Sequence, residues 1–279
     1  MKIIRSSAVL RKIVLAWRRR GRSVGLVPTM GALHEGHLSL IRRAKRENDF
    51  VVVSLFVNPT QFGPQEDLTR YPRPFARDAD LCRRESVALL FTPSPQGMYP
   101  PDFQTWVTVE ELSKPLCGLV RPGHFRGVAT VVLKLLNQVQ PDRAYFGKKD
   151  FQQLRVIQRM VKDLDLPVKV VACPTVREFG GLALSSRNAF LSLGDRAVAP
   201  LLSRALRAAG QVLKSRRNKV EALRAARAVL RGHSGIRIQY LEIVDPETLV
   251  PSLKKSGPFL VAAAVWVGHT RLIDNLYIK

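Results

Sequence analysis

Cysteine is scarce in this 279-residue chain: there are three, Cys82, Cys117 and Cys173, far apart and in no C-x-x-C pair. A scattered, odd-numbered set argues against a disulfide framework and fits a reducing compartment, with the thiols as small buried apolar groups. Long apolar runs are also missing; none approaches the roughly 18 residues of a membrane span. The opening segment MKIIRSSAVLRKIVLAWRRRGR interleaves basic and apolar residues. A signal peptide needs a continuous apolar stretch and a small-residue cleavage site. The segment therefore reads as an amphipathic first helix, and a cytoplasmic location is expected. Acidic side chains are few, 22 Asp and Glu against 45 Lys and Arg, for a formal charge of +23. Such a field attracts polyanions. The basic residues are dispersed, however, with small clusters at 18–20 and 214–217 and no aromatic-rich recognition motif beside them. A phosphate-rich small substrate is expected rather than a specific nucleic-acid site. Neither G-x-x-x-x-G-K-[ST] nor G-x-G-x-x-G occurs, so the two common glycine-loop phosphate sites are excluded.

What is present is alternation. Strand-like runs at 24–28, 51–57, 88–91, 144–146 and 168–172 are interleaved with helical patterns at 36–45, 78–86, 128–139 and 151–162. The β-branched run at 51–57 is what a strand buried on both faces requires. This order predicts an α/β fold: a Rossmann-like parallel sheet with helices on both faces, over residues 1–175. From 176 onward the composition changes. Residues 195–231 are rich in Ala, Leu and Arg at helical spacing, read as two helices broken near 215–218. Three strands follow at 236–244, 259–267 and 270–278, the last two joined by a tight turn at Gly268-His269. The expectation for 176–279 is a smaller C-terminal α+β domain, a lid in the sense that it would cover a ligand.

The strongest chemical signal is PTMGALHEGHLSLI, residues 28–41. A strand ends, a Gly-containing loop follows, and a helix opens near Gly36. The first turn of a helix has unpaired N–H groups and a positive dipole end, so it attracts phosphate. His34 and His37 lie three apart and can face one side there. Two imidazoles can donate to nucleotide phosphates and strengthen those bonds as charge builds in the transition state. The zinc-protease motif H-E-x-x-H is excluded, because Leu38 stands where its second histidine is needed. Two histidines at a helix start are otherwise read as a surface cap.

H-x-G-H after the first strand resembles the signature of the nucleotidyltransferase superfamily and of class I aminoacyl-tRNA synthetases. Those families pair it with a basic, Ser-rich loop, for which LALSSRN at 182–188 is the candidate. VVVSLFVNPTQFGPQEDLTRYPR, RPGHFRGVATVVLKLLNQVQPDRAYFGKKDFQQLRVIQRMV and PTVREFGGLALSSRN narrow the resemblance, with PTMGALHEGHLSLI, to the pantothenate synthetase (pantoate–β-alanine ligase) family, over nearly the whole chain. The resemblance implies an AMP-forming ligase that joins pantoate to β-alanine through a pantoyl-adenylate, with ATP and Mg2+, as a homodimer. It implies an ATP site along Met30, Gly31, Ala32, Leu33, His34, Glu35, Gly36 and His37, with His37 the proton donor and His34 its partner. Gly147, Lys148, Lys149 and Asp150 would form a second ATP stretch. Val176 would contact adenine, and Leu184, Ser185, Ser186 and Arg187 would close over the phosphates. Gln61 and Gln153 would bind pantoate. Lys149 and Arg187 would stabilise departing pyrophosphate, and Asp78 would help organise magnesium.

The chemistry suits these residue types. A glutamine amide both donates and accepts, so it holds hydroxyls and orients a carboxylate without an arginine's full charge pairing, which would blunt the nucleophile. Four positions depart from the family pattern: Thr60 and Leu184 stand where methionine is usual, Lys148 where glutamate is, and Gly180 where aspartate is. Two rival readings are a nucleotidyltransferase that leaves AMP on its product, and a nucleic-acid-binding protein driven by bulk charge. Gln61 and Gln153 in their contexts disfavour the first.

Overall fold

A computed structural model describes every residue of the chain except Gln65 and Lys255. The chain divides into two compact units. One comprises Met1–Ser113, Arg121–Lys148 and Gln153–Pro174; the other comprises Lys114–Val120, Lys149–Gln152 and Thr175–Lys279.

The first unit is built on six strands: β1 (Lys2–Ile4), β2 (Val24–Thr29), β3 (Phe50–Leu55), β4 (Leu89–Phe91), β5 (Arg143–Gly147) and β6 (Lys169–Cys173). They form one sheet in the order β1-β4-β3-β2-β5-β6, every pair parallel. Helices cover both sides, as the alternation predicts. Val24, Leu26, Val27, Val52 and Val53 are wholly buried, which is why these strands carry no polar alternation. β1 is a departure from expectation. Its three residues are too few to show a period, and the amphipathic helix starts after it, at Ser7–Arg18. Ser6 caps that helix through the Val9 amide.

The order places a switch point at β2. The chain steps outward through β3 and β4 on one flank and through β5 and β6 on the other. In open parallel sheets ligands bind beyond the carboxyl ends of strands at such a point. The segments leaving β2, β3 and β5 are therefore the ones that matter.

In the second unit β7 (Ile236–Val244), β8 (Phe259–Val267) and β9 (Thr270–Ile278) form an antiparallel sheet. Gly268 takes φ +54° in the predicted hairpin turn, where a Cβ would lie 2.7 Å from Asp195 Oδ2. Helices Leu201–Arg216 and Lys219–Leu230 break where predicted, at Arg217 in a left-handed conformation and Asn218 as cap. A short helix at Leu193–Val198 precedes them, one more than the sequence pattern predicts. Pro200, which cannot donate a helical hydrogen bond, accompanies the extra break. All three cysteines are free and buried; burial pushes the Cys82 thiol up to about 12. No described helix is long and apolar enough to cross a membrane.

Candidate active site

The loop leaving β2 is held from several sides. Thr29 Oγ1 donates to the Ser54 carbonyl (2.8 Å) and accepts from the Gly31 amide (3.2 Å). Gly31 and Ala32 both take positive φ, +86° and +50°. For a residue with a side chain that conformation costs roughly 1–2 kcal/mol, so something must hold Ala32 there. Asp78, on the helix Phe75–Arg84, does so: Oδ2 accepts from the Ala32 amide (2.7 Å) and Oδ1 from the Leu33 amide (2.8 Å). Asp78 is 2 % exposed and Leu33 1 %. Burial raises the Asp78 carboxyl above the usual aspartate value, against the pull of the two amides.

Magnesium, expected at Asp78, meets a carboxylate with both oxygens already engaged by backbone. Among the described residues no group of three or more His, Cys, Asp or Glu is placed to hold a metal ion.

His34 caps the helix Glu35–Glu47. Its Nδ1 accepts from the Gly36 amide (3.1 Å), and His37 Nδ1 accepts from the His34 amide (3.3 Å). This reciprocal pair brings the rings together with centroids 4.0 Å apart, tilted 37° to one another. An imidazole that accepts at Nδ1 carries its proton at Nε2. The helix start thus sets both histidines as Nε2–H donors. Glu35 directs its carboxylate to Arg42, which also binds Glu85; only its backbone belongs to the helix start.

Beyond β3, Asn58 caps a 3-10 turn, Pro59–Gln61. Gln61 is 8 % exposed and Asn58 1 %. The Asn58 amide donates to Gln61 Oε1 (3.2 Å) and to the Gly127 carbonyl (3.1 Å), and Gln61 Nε2 donates to Met30 Sδ (2.9 Å). The Gln61 carbonyl accepts from Arg121 (3.1 Å) and lies 2.8 Å from His124 Nδ1. Arg121 also pairs with Glu66 at 2.5 Å, which holds the Glu66 carboxyl low despite its burial. A Cβ on Gly127 would fall 2.4 Å from the Thr60 carbonyl oxygen, so only glycine lets the helix His124–Val139 approach this turn. Sequence reasoning assigns no role to Asn58, Arg121, His124 or Gly127, although N-P-T-Q and R-P-G-H-F-R-G contain them.

β5 ends at Gly147, and Lys148, Lys149 and Asp150 make a 3-10 turn leading into the helix Phe151–Asp163. The adjacent glutamines of that helix differ. Gln152 accepts from the Cys117 amide (3.0 Å) and donates to the Pro115 carbonyl (2.7 Å), a structural tie; Gln153 is half-buried.

In the second unit the Leu184 amide donates to the Val176 carbonyl (3.0 Å), and Arg177 bridges to Ala183, so the adenine and phosphate candidates share one local structure. Ser185 accepts from the Arg187 amide (3.3 Å) and caps the turn Ser186–Phe190. Asn188 and the Arg177–Asp274 pair tie the segment together. Asn188 donates to Glu178 and the Ala183 carbonyl (3.1 and 3.2 Å), and Arg177 pairs with both oxygens of Asp274 (2.6 and 3.0 Å).

The pantoate-beta-alanine ligase family model matches residues 2–277. The chain belongs to that family. Pantothenate synthetases from a Sulfurihydrogenibium species and from Thermotoga neapolitana are each 53% identical to it, over 99% of both chains. The crystal structure of a Thermus thermophilus pantothenate synthetase superposes with TM-score 0.94 at 51% identity, covering 99% of both chains. A Francisella tularensis pantoate-beta-alanine ligase, complexed with beta-gamma ATP and β-alanine, superposes with TM-score 0.81 at 35% identity, covering 99% of this chain and 97% of the other.

Against the family pattern, the structure gives Thr60 a partner that methionine could not supply: its hydroxyl donates to Asn58 Oδ1 at 2.9 Å. Lys148 is exposed and acts electrostatically on Cys173. A Cβ at Gly180 would meet only the Pro200 ring, at 3.3 Å from Cγ. Nothing in the structure explains the change at Leu184.

Proposed function

We propose that this chain condenses pantoate with β-alanine to give pantothenate, using ATP brought as its magnesium complex. A pantoate carboxylate oxygen attacks the α-phosphorus of ATP. The bond to the β-phosphate bridging oxygen breaks, and magnesium pyrophosphate leaves. The β-alanine amine then attacks the acyl carbon of the pantoyl-adenylate, AMP departs with the carboxylate oxygen, and the amine loses its extra proton. No covalent enzyme intermediate is needed; positioning and charge stabilisation suffice.

The observation that carries this reading is the pair of backbone amides on the Nδ1 atoms of His34 and His37 at the helix start. With Nδ1 of His34 and His37 accepting backbone amides, both rings offer Nε2–H at a helix start, where phosphate is favoured. Met30, Gly31, Ala32, Leu33, Gly36 and the Glu35 backbone line the nucleotide. We assign Asp78 to holding that loop rather than to metal. Gly147, Lys148, Lys149 and Asp150 are a second nucleotide stretch, Val176 the adenine contact, and Leu184, Ser185, Ser186 and Arg187 the phosphate loop. Lys149 and Arg187 offset charge on departing pyrophosphate. Gln61 and Gln153 hold pantoate. We further propose a cytoplasmic homodimer, with residues 176–279 as a lid domain.

Isotope exchange tests the chemistry. Labelled pyrophosphate should enter ATP when pantoate is present and β-alanine absent, and pantoate omission should abolish the exchange. Oxygen-18 in the pantoate carboxylate should appear in AMP. ADP as the product, with label in inorganic phosphate, would overturn the mechanism; AMP retained on the product would indicate a nucleotidyltransferase.

A further inference from the structure

The turn that carries Gln61 has a direction built into it. Asn58 Oδ1 accepts from the Thr60 hydroxyl (2.9 Å) and the Thr60 amide (3.4 Å). Its other branch must then be Nδ2, which reaches two acceptors, the Gly127 carbonyl and Gln61 Oε1. A backbone donor on one side and a backbone acceptor on the other fix which way the Asn58 amide lies. Reversing Asn58 would set NH2 against the Thr60 amide and oxygen against the Gly127 carbonyl. The Asn58 orientation in turn fixes Gln61. With Oε1 drawn to Asn58, Nε2 is the atom directed to Met30 Sδ, and a thioether is a weak acceptor that a substrate oxygen can displace. The Tyr99 hydroxyl lies 3.3 Å from the same Thr60 oxygen, within an aromatic group of Phe56, Phe103 and Trp106, so that one hydroxyl meets both Asn58 and Tyr99.

We propose that Thr60 and Asn58 are positioning residues that lock the Gln61 amide as a donor, so that this turn selects a substrate oxygen acceptor, a carboxylate or hydroxyl oxygen of pantoate. Thr60 is the part of the device particular to this chain. The proposal rests on Gln61 being a pantoate contact. It differs from a purely structural role because it predicts coupling through one amide: without the Gln61 side chain, Thr60 has nothing to orient.

The test is steady-state kinetics on the full chain with pantoate and ATP varied separately. Thr60→Val keeps the shape and removes the hydroxyl. It should raise the pantoate KM about fivefold, the worth of about one net hydrogen bond, and leave the ATP KM within about twofold. Thr60→Ser should restore the wild-type pantoate KM. Asn58→Asp, which sets an acceptor against Gln61 Oε1, should raise that KM at least about tenfold, the penalty for an unpaired buried acceptor. In a Gln61→Ala background, Thr60→Val should add nothing further. If Gln61→Ala raises the pantoate KM but Thr60→Val does not, the lock is refuted while the pocket stands. An undiminished Thr60→Val effect in the Gln61→Ala background also refutes it. If Gln61→Ala leaves the pantoate KM unchanged, the pocket assignment fails and the lock with it. Should Asn58→Asp not fold, the Thr60 series decides alone.

Discussion

Asp78→Asn separates two tasks that one buried carboxylate could have. Asp78 holds two consecutive amides, at 2.7 and 2.8 Å, across the loop that precedes His34. An asparagine has the same shape but only one acceptor oxygen. Whichever way it lies, an NH2 group faces either the Ala32 or the Leu33 amide. Leaving a buried donor unpaired costs roughly 1–3 kcal/mol, and Ala32 then has less to keep it at φ +50°. A penalty of about 2 kcal/mol corresponds to roughly thirtyfold in an equilibrium. If the loop relaxes, the ATP KM should rise by about that factor while the sheet remains folded. If the loop holds, the same penalty should instead lower the melting temperature, by roughly 3–4 °C for a chain of this size. Kinetics with ATP varied, beside a thermal melt, reads both. Excess magnesium should restore nothing, because no metal is lost. A variant with wild-type ATP KM and melting temperature would refute the loop assignment, and recovery at high magnesium would show that Asp78 is a metal ligand after all.

His37→Ala and His34→Ala should each slow adenylate formation by about two to three orders of magnitude, the range for one transition-state donor; near-native single-turnover rates in both would remove the phosphate role. Gln153→Ala should weaken pantoate use more than ATP use, whereas Gln152→Ala, which releases Pro115 and Cys117, should lower thermal stability. Lys254 holds the Asp245 carboxyl below its ordinary value of 3.8, helped by the Glu247 and Thr248 amides. A depressed carboxylate contributes stability that is complete above the unfolded value and is lost as pH falls through the folded one. Lys254→Met should therefore move acid unfolding to higher pH in a pH-dependent melt, and an unchanged midpoint would exclude the pair. Binding of DNA or RNA should fade between low and physiological salt; sequence-selective binding that survives would restore the nucleic-acid reading of the +23 charge.

The parts of this fold visible in sequence are those where burial writes a period. β2 and β3 are continuous apolar runs because both sheet faces are covered, and the patterns for β7, β8 and β9 carry the same bounds as the strands themselves. β1 is not visible: three residues at a sheet edge contain no repeat. The site is legible in the same uneven way. Residue type and spacing disclose His34 and His37, because a helix brings positions three apart together. Which ring nitrogen carries the proton is not legible. It follows from the reach of the Gly36 and His34 amides, which exists only once the helix starts at Glu35. Asp78 shows the same limit from the other side. Its chemistry allows a metal ligand or a backbone acceptor equally, and only the fold sets its oxygens on two amides of a loop 45 residues away in sequence. Asn58 and Gly127 are silent because their work is to face another segment, 69 residues apart. Sequence patterns report local periodicity and the residues that perform chemistry. The residues that aim them act through long-range backbone groups and leave no period to read.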